Sequence, residues 1–173
     1  MKATLVIISG RKKIAADLGS EQLAQLVQKL PPDPKTQSLW GLLAGHSSSE
    51  VREQIASKSH LSPKTIARLA QDPSVDVIRA LVRSEAGEKW LSTDQLLAIA
   101  QRDSEAASAI GNSVGAFASA NTLSLARGLA RLPDPRGRQG LASNVDAPKS
   151  IRRRLRTDPD AGVRAAARDA FEG

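Results

Sequence analysis

Short runs of apolar helix that end in Asp-Pro recur along this chain, and a repeat of that kind restricts the fold more than any other feature. Ile66-Ala67-Arg68-Leu69-Ala70-Gln71-Asp72-Pro73 leads into Val77-Ile78-Arg79-Ala80-Leu81-Val82. Further on, Ile151 and Leu155 precede Thr157-Asp158-Pro159, which leads into Val163-Arg164-Ala165-Ala166-Ala167. A unit that shows its apolar face to the next copy cannot fold alone, so the copies must stack. The expected fold is all-α: a solenoid of stacked helical repeats, elongated, with a groove in place of a closed pocket.

Aligning the short helix of each unit puts Leu69, Ile99, Leu129 and Leu155 in register, at steps of 30, 30 and 26 residues. An earlier half-copy, Ser20-Glu21-Gln22-Leu23-Ala24-Gln25-Leu26, matches Thr93-Asp94-Gln95-Leu96-Leu97-Ala98-Ile99. The second helix of each unit keeps its apolar residues at i and i+4, on one helical face. Asp72-Pro73, Asp134-Pro135 and Asp158-Pro159 each offer a capping carboxylate and a Pro suited to a first turn. Helices are predicted near 20–30, 35–45, 48–57, 63–71, 74–84, 93–101, 104–111, 122–131, 136–143, 148–156 and 160–171. Residues 85–92 and 113–121 read as inserted turns. Gly111, Gly115 and Gly128 read as loosening the middle unit, by sequence drift or as a hinge. Residues 3–9 are β-branched and precede Gly10, which predicts a short strand or extended cap over the first unit's apolar face. The chain therefore divides into an N-terminal cap or extended segment, 1–19, and a single helical repeat domain, 20–173.

Only 2% of the residues are aromatic, so Leu, Ile, Val and Ala must fill the core. There is no Cys, which removes disulfides, thiolate metal sites and Cys nucleophiles. No stretch approaches the ~20 apolar residues that span a bilayer, and a cytoplasmic location with no membrane partner is expected. The net charge of +7 is uneven: residues 1–126 carry 14 basic and 12 acidic side chains, residues 127–173 carry 11 and 6. A basic end of this kind favours an acidic partner surface or a phosphate backbone.

Leu141-Ala142-Ser143-Asn144-Val145-Asp146-Ala147-Pro148, with Leu155 and Asp158-Pro159 to Val163-Arg164, resembles the leucine-rich repeat variant unit. Val51-Arg52, Ile55-Ala56-Ser57, Leu61-Ser62-Pro63 and Leu69-Ala70-Gln71-Asp72-Pro73 are similar, so the resemblance covers roughly 47–173 with a diverged centre. It implies α-helices alternating with shorter helices in a right-handed superhelix, close to the HEAT and armadillo repeats. The iron–sulfur cluster that some members carry does not transfer to a chain without Cys, and no cofactor is expected.

No catalytic constellation stands out. His46 and His60 lack helical ligand spacing, the Ser47-Ser48-Ser49 run reads as a helix cap, and Gly10-Arg11-Lys12-Lys13 lacks the glycine spacing of a phosphate cradle. Asp158 and Asp160 read as carboxylates at a helix start. Helical-repeat DNA glycosylases combine a groove with Trp and a catalytic Asp, but Trp40 and Trp90 fall in separate units here. The one unusual cluster is basic. Lys149, Arg152, Arg153, Arg154 and Arg156 share a short helix, with Arg152 and Arg156 on one side and Lys149 and Arg153 on the next. Arg127, Arg131, Arg136 and Arg138 fall on the preceding unit. The candidate partner-binding set is Arg127, Arg131, Arg136, Arg138, Lys149, Arg152, Arg153 and Arg156. The leading expectation is a non-enzymatic scaffold for an acidic protein partner, with no small-molecule substrate. Sequence-independent nucleic-acid binding through the same patch is the alternative, and a glycosylase-like enzyme the remote one.

Overall fold

The periodic apolar positions become helices whose buried stripe is almost wholly Leu, Ile, Val and Ala. The computed structural model describes residues 3–9, 12–31 and 33–172; the Gly10-Arg11 part of the basic run lies outside them. Two strands come first, β1 (Ala3–Ser9) and β2 (Lys12–Leu18). Twelve α-helices follow among the described residues: α1 (Ser20–Lys29), α2 (Gln37–Leu43), α3 (Ser49–Ala56), α4 (Pro63–Leu69), α5 (Val75–Val82), α6 (Glu85–Trp90), α7 (Thr93–Arg102), α8 (Ser104–Asn112), α9 (Thr122–Leu129), α10 (Pro135–Ser143), α11 (Lys149–Leu155) and α12 (Ala161–Glu172). Leu69, Ile99, Leu129 and Leu155, aligned by the repeat, are each at most 2% exposed. Burial of such a side chain contributes ~1.5–3 kcal/mol relative to leaving it in water.

Contacts run in two ladders. α1, α3, α5, α8, α10 and α12 each pack against the next in that order, while α2 meets α4, α4 meets α6, and α7 meets α9. Rungs join the two ladders at α2 with α3, α4 with α5, α7 with α8, α9 with α10 and α11 with α12. The first series is termed the long-helix ladder, and α2, α4, α6, α7, α9 and α11 the short-helix ladder, although α7 has ten residues.

Helix starts follow the local chemistry. Ser62, Ser92, Asp103, Asn121 and Asp134 each accept a backbone N–H from the first turn of the helix they precede, worth ~1 kcal/mol per cap. Two of the three Asp-Pro pairs act differently from the expectation. Asp72 and Asp158 lie ahead of the helix and bond the N–H of Ser74 and Asp160 within the loop. Ser74 then occupies the cap of α5, and Asp160 accepts Val163 N–H in α12. His46 holds the equivalent loop before α3, its Nδ1 accepting Ser48 N–H at 3.1 Å.

Asp72 and Asp158 each face an arginine 20 residues earlier. Arg52 donates to both carboxylate oxygens of Asp72 at 2.7 and 2.9 Å. Arg138 does the same to Asp158 at 2.9 and 3.1 Å. Both arginines are the fourth residue of their helix, and both also donate to the two loop carbonyls just upstream, His46 and Ser47 or Leu132 and Pro133. Arg164, fourth in α12, makes the same carbonyl contacts to Asp158 and Pro159. Each such arginine closes its own loop, and those of α3 and α10 also tie it to the next unit.

The middle of the chain solves the joint another way. The fourth residues of α5 and α8 are Ile78 and Ala107. Arg79, one position on, reaches Asp103 at 2.7 Å, and Arg102 supplies the missing donor to Asp72 O. Where Ala107 replaces arginine, α8 and α10 close together on glycine. A methyl group at Gly111 would fall 2.6 Å from Leu141 N and 2.7 Å from Gly137 O, and one at Gly140 would strike Ser108 O. Gly111 is therefore a site of tight packing and not a loosened hinge. Gly128 is also packed, against the Leu97 side chain.

Two further expectations are corrected. Residues 85–92 are not an inserted turn: Ser84 caps α6, and Gly87 is required because a Cβ there would collide with Leu81 O. The 113–121 segment remains turns, and it docks onto α6 through Ala118 N–H to Glu88 O at 2.8 Å and Ser119 Oγ to Lys89 O at 2.7 Å. Residues 3–9 are one strand of an antiparallel hairpin, with Ala3 opposite Leu18 and Ile7 opposite Ile14. Among the described side chains, it packs against the helical core at its base, through Ala3 and Leu18. Val6, Ile8 and Ile14 are 42%, 71% and 65% exposed.

Candidate partner-binding face

The eight candidate side chains separate by burial. Arg138 and Arg152 are each 8% exposed and serve the interior. Arg138 is occupied by Asp158 and two carbonyls, as above. Arg152 donates to Ala147 O and Ala170 O, both at 3.2 Å, which ties the start of α11 to α12. Neither is available to a partner, and the physical reason is the same for both. A guanidinium has five donors in a fixed fork, and these two satisfy loop and helix-end carbonyls that burial would otherwise leave unpaired. Arg136 is exposed but lies on the long-helix ladder, paired with Glu105 of α8.

Arg127, Arg131, Lys149, Arg153 and Arg156 are exposed, on or just after α9 and α11 in the short-helix ladder. Arg154, which the helical-wheel argument left out, joins them: it lines a trough with Arg131 between α9 and α11. Sequence periodicity carries no sign that the loop after α9 and the end of α11 share this trough.

Charge is uneven along the short-helix ladder, where α6 and α7 carry Glu85, Glu88 and Asp94. α4, α9 and α11 carry Lys64, Arg68, Arg127, Lys149, Arg152, Arg153 and Arg154 and no acidic residue. On the long-helix ladder, Glu50, Glu53, Asp76, Glu105 and Asp169 are interspersed with the arginines. Internal carboxylates are fully engaged. Burial opposes the charge of Asp158, yet the Arg138 bonds, Asp160 N–H and nearby Arg164 hold its carboxyl below the ordinary range. Asp72 is held low against burial by Arg52 and Ser74 N–H. Asp103 is held low chiefly by Arg79.

A different cation closes the first unit. Lys58 is 8% exposed, and its Nζ donates to Gln28 O at 3.2 Å and Leu30 O at 2.8 Å, 5.6 Å from the Trp40 ring centroid. Burial lowers its pKa. Asn144, at the matching place in its unit, donates to Gly111 O at 3.1 Å. These residues finish the C-terminal ends of α1 and α8.

Trp40 is fully buried and Trp90 is 43% exposed on α6, so the two tryptophans form no shared cage. Among the described residues no group of three or more His, Cys, Asp or Glu could hold a metal ion, and no helix is long and apolar enough to cross a membrane. The troughs between short helices offer positive charge and small apolar surface, a chemistry suited to binding an anion.

The fold and this face together define a mostly helical chain in which α4, α9 and α11 carry cations and no acid. No protein-family model, curated protein or solved structure matches it.

Proposed function

We propose that the chain is a non-enzymatic α-solenoid of the leucine-rich repeat variant kind, its repeats wound in a right-handed stack, which holds an acidic protein partner along its short-helix face. Helices that contact only their neighbours in order are the pattern of a stacked repeat array. The observation that carries the partner reading is that α4, α9 and α11 hold six exposed cations, Lys64, Arg68, Arg127, Lys149, Arg153 and Arg154, and no acid. Cations without local counter-charges attract an anionic surface and raise its association rate. The protein acts in the cytoplasm on this reading, with no small-molecule substrate and no cofactor.

Charge reversal at Arg127, Arg153 and Arg156 tests it. The triple variant keeps its helical circular dichroism and its melting temperature, and loses the acidic proteins that the unaltered chain captures from a cell extract. Equal capture by both forms refutes the face. Arg152 is left intact because it supports α11.

The same acid-free stretch suits a phosphate backbone, the second reading. In that case the affinity for duplex DNA falls with salt at a log–log slope of ~0.9 per phosphate contacted. Retention on a polyanion column without any protein capture would put nucleic acid first.

A further inference from the structure

Two troughs open side by side at the C-terminal ends of α7, α9 and α11 and the loops that follow α9 and α11. One, of about 440 Å³, is lined by Arg131, Arg154, Leu155 and Thr157. The other, of about 590 Å³, is lined by Ala100, Gln101, Gly128 and Asp134. Arg131, Leu132 and Pro133 line both, so the two form one groove with Arg131 at its centre.

We infer that this groove takes an extended peptide segment of the partner, with an acidic side chain between Arg131 and Arg154 and a basic or polar side chain about three residues along, beside Asp134. The inference rests on the acidic-partner reading above and names the form that partner takes.

Three features support it. First, the negative groups of the floor are already satisfied. The Leu132 and Pro133 carbonyls and both Asp158 oxygens accept from Arg138. The Asp158 charge in the lining is offset by Arg138, so Arg131 and Arg154 are left to make charge-assisted contacts with an incoming carboxylate. Second, the sign of the groove changes along its length. Asp134 is exposed at the far trough, bonded through one oxygen to Arg136 N–H at 2.8 Å, and its charge disfavours a second acid there. Third, the spacing suits an extended chain. Packed helices lie ~8–10 Å apart and a strand advances ~3.3 Å per residue, so successive troughs fall about three residues apart. The Ala100, Leu132 and Leu155 walls favour short aliphatic side chains over bases.

The test is a random dodecapeptide phage library panned against the full chain. The enriched peptides are then measured by fluorescence anisotropy against Arg131→Ala, Arg154→Ala and the double variant Arg127→Ala/Arg153→Ala. Support is enrichment of Glu or Asp with Lys, Arg or a polar residue about three positions away, and about tenfold weaker binding by each of the first two variants, the effect of one lost charge-assisted contact. The double variant changes binding less. Thermal melts of all variants exclude unfolding as the cause. If acidic peptides are enriched but respond to Arg127 and Arg153 and not to Arg131 and Arg154, the groove is refuted while the acidic-partner face stands. If no acidic peptide is enriched, the extended-segment inference falls, and the capture experiment decides the face separately. If duplex DNA displaces the peptides with a steep salt dependence that needs Arg131, the groove is a phosphate site and the inference is overturned.

Discussion

Replacing Arg138 with Ala separates a structural arginine from a binding one. In the folded chain Arg138 spends four hydrogen bonds on Asp158, Leu132 O and Pro133 O, and the side chains of the ion pair are 10% and 6% exposed. Removing it strands a buried carboxylate and two carbonyls. Breaking a buried pair from one side costs ~3–5 kcal/mol. For a chain of this length each kcal/mol lowers the melting temperature by ~2–4 °C, so the melt falls by roughly 6–20 °C. Arg79→Ala is the internal comparison. Its pair with Asp103 has the same chemistry, but the Arg79 side chain is 32% exposed, and solvent screening leaves such a contact ~1 kcal/mol or less. Its melt moves only a few degrees. Thermal denaturation followed by circular dichroism at neutral pH measures both, and the Arg138→Ala/Asp158→Ala double variant recovers part of the loss. A drop for Arg138→Ala no larger than that for Arg79→Ala refutes the argument. An Arg138→Ala protein of unchanged stability that binds its partner less well would restore Arg138 to the binding face.

Glycine substitutions are expected to divide by what the new methyl meets. Gly140→Ala and Gly111→Ala press on backbone of the facing helix, and overpacking of that kind costs ~1–3 kcal/mol, seen as a lower urea midpoint. Gly128→Ala meets only the rotatable Leu97 side chain and gains up to ~1 kcal/mol of helix propensity, so its midpoint is unchanged or higher. Acid sensitivity follows from the three internal carboxylates. Asp72, Asp103 and Asp158 have folded pKa values below the ordinary one, so near pH ~4, where unfolded Asp titrates, the unfolded chain binds more protons. Their stabilisation is complete above that pH and is lost as pH falls through the depressed values; melts at descending pH should show it, with a shallower decline in Asp72→Asn. Lys58→Ala releases the carbonyls of Gln28 and Leu30, and hydrogen exchange should rise at the end of α1 before it rises elsewhere.

Much of the helical pattern is legible in the sequence because periodic Leu and Ile positions and Ser, Asp and Asn caps act locally. Residues 85–92 escape that reading: α6 is six residues long, too short to show a period, and its Gly87 looks like a breaker until the Leu81 carbonyl above it is known. β2 is equally hidden, since Lys12-Lys13-Ile14-Ala15-Ala16-Asp17-Leu18 lacks alternation and has a single β-branched residue, Ile14. The partner face is legible as a charge excess but not as a surface. Basic residues are normally solvated, so Arg138 and Arg152 were counted with the rest, and only the three-dimensional positions of Asp158, Ala147 and Ala170 remove them. One sequence signal for the first was available. Arg52 to Asp72 and Arg138 to Asp158 share a spacing of 20 residues, and that recurrence marks a joint between units.

The joints explain where the net charge shows. In the long-helix ladder, arginines that close loops are matched by the Asp of the following unit or by helix-end carbonyls, and the exposed Glu and Asp residues of α3, α5, α8 and α12 balance what remains. The exposed cations of α4, α9 and α11, Lys64, Arg68, Arg127, Lys149, Arg153 and Arg154, sit on helices without acids, whereas Arg152 is held by the Ala147 and Ala170 carbonyls. Positive charge is therefore concentrated at α4, α9 and α11, with a further two lysines, Lys12 and Lys13, on β2. The diverged centre reinforces this. With Ala107 at the arginine position, α8 and α10 meet on glycine, and Asp134 of that joint, with no arginine reaching it from α8, is exposed at the groove. The loss of one arginine joint thus places a negative group at one end of a cationic groove, and gives that groove a direction.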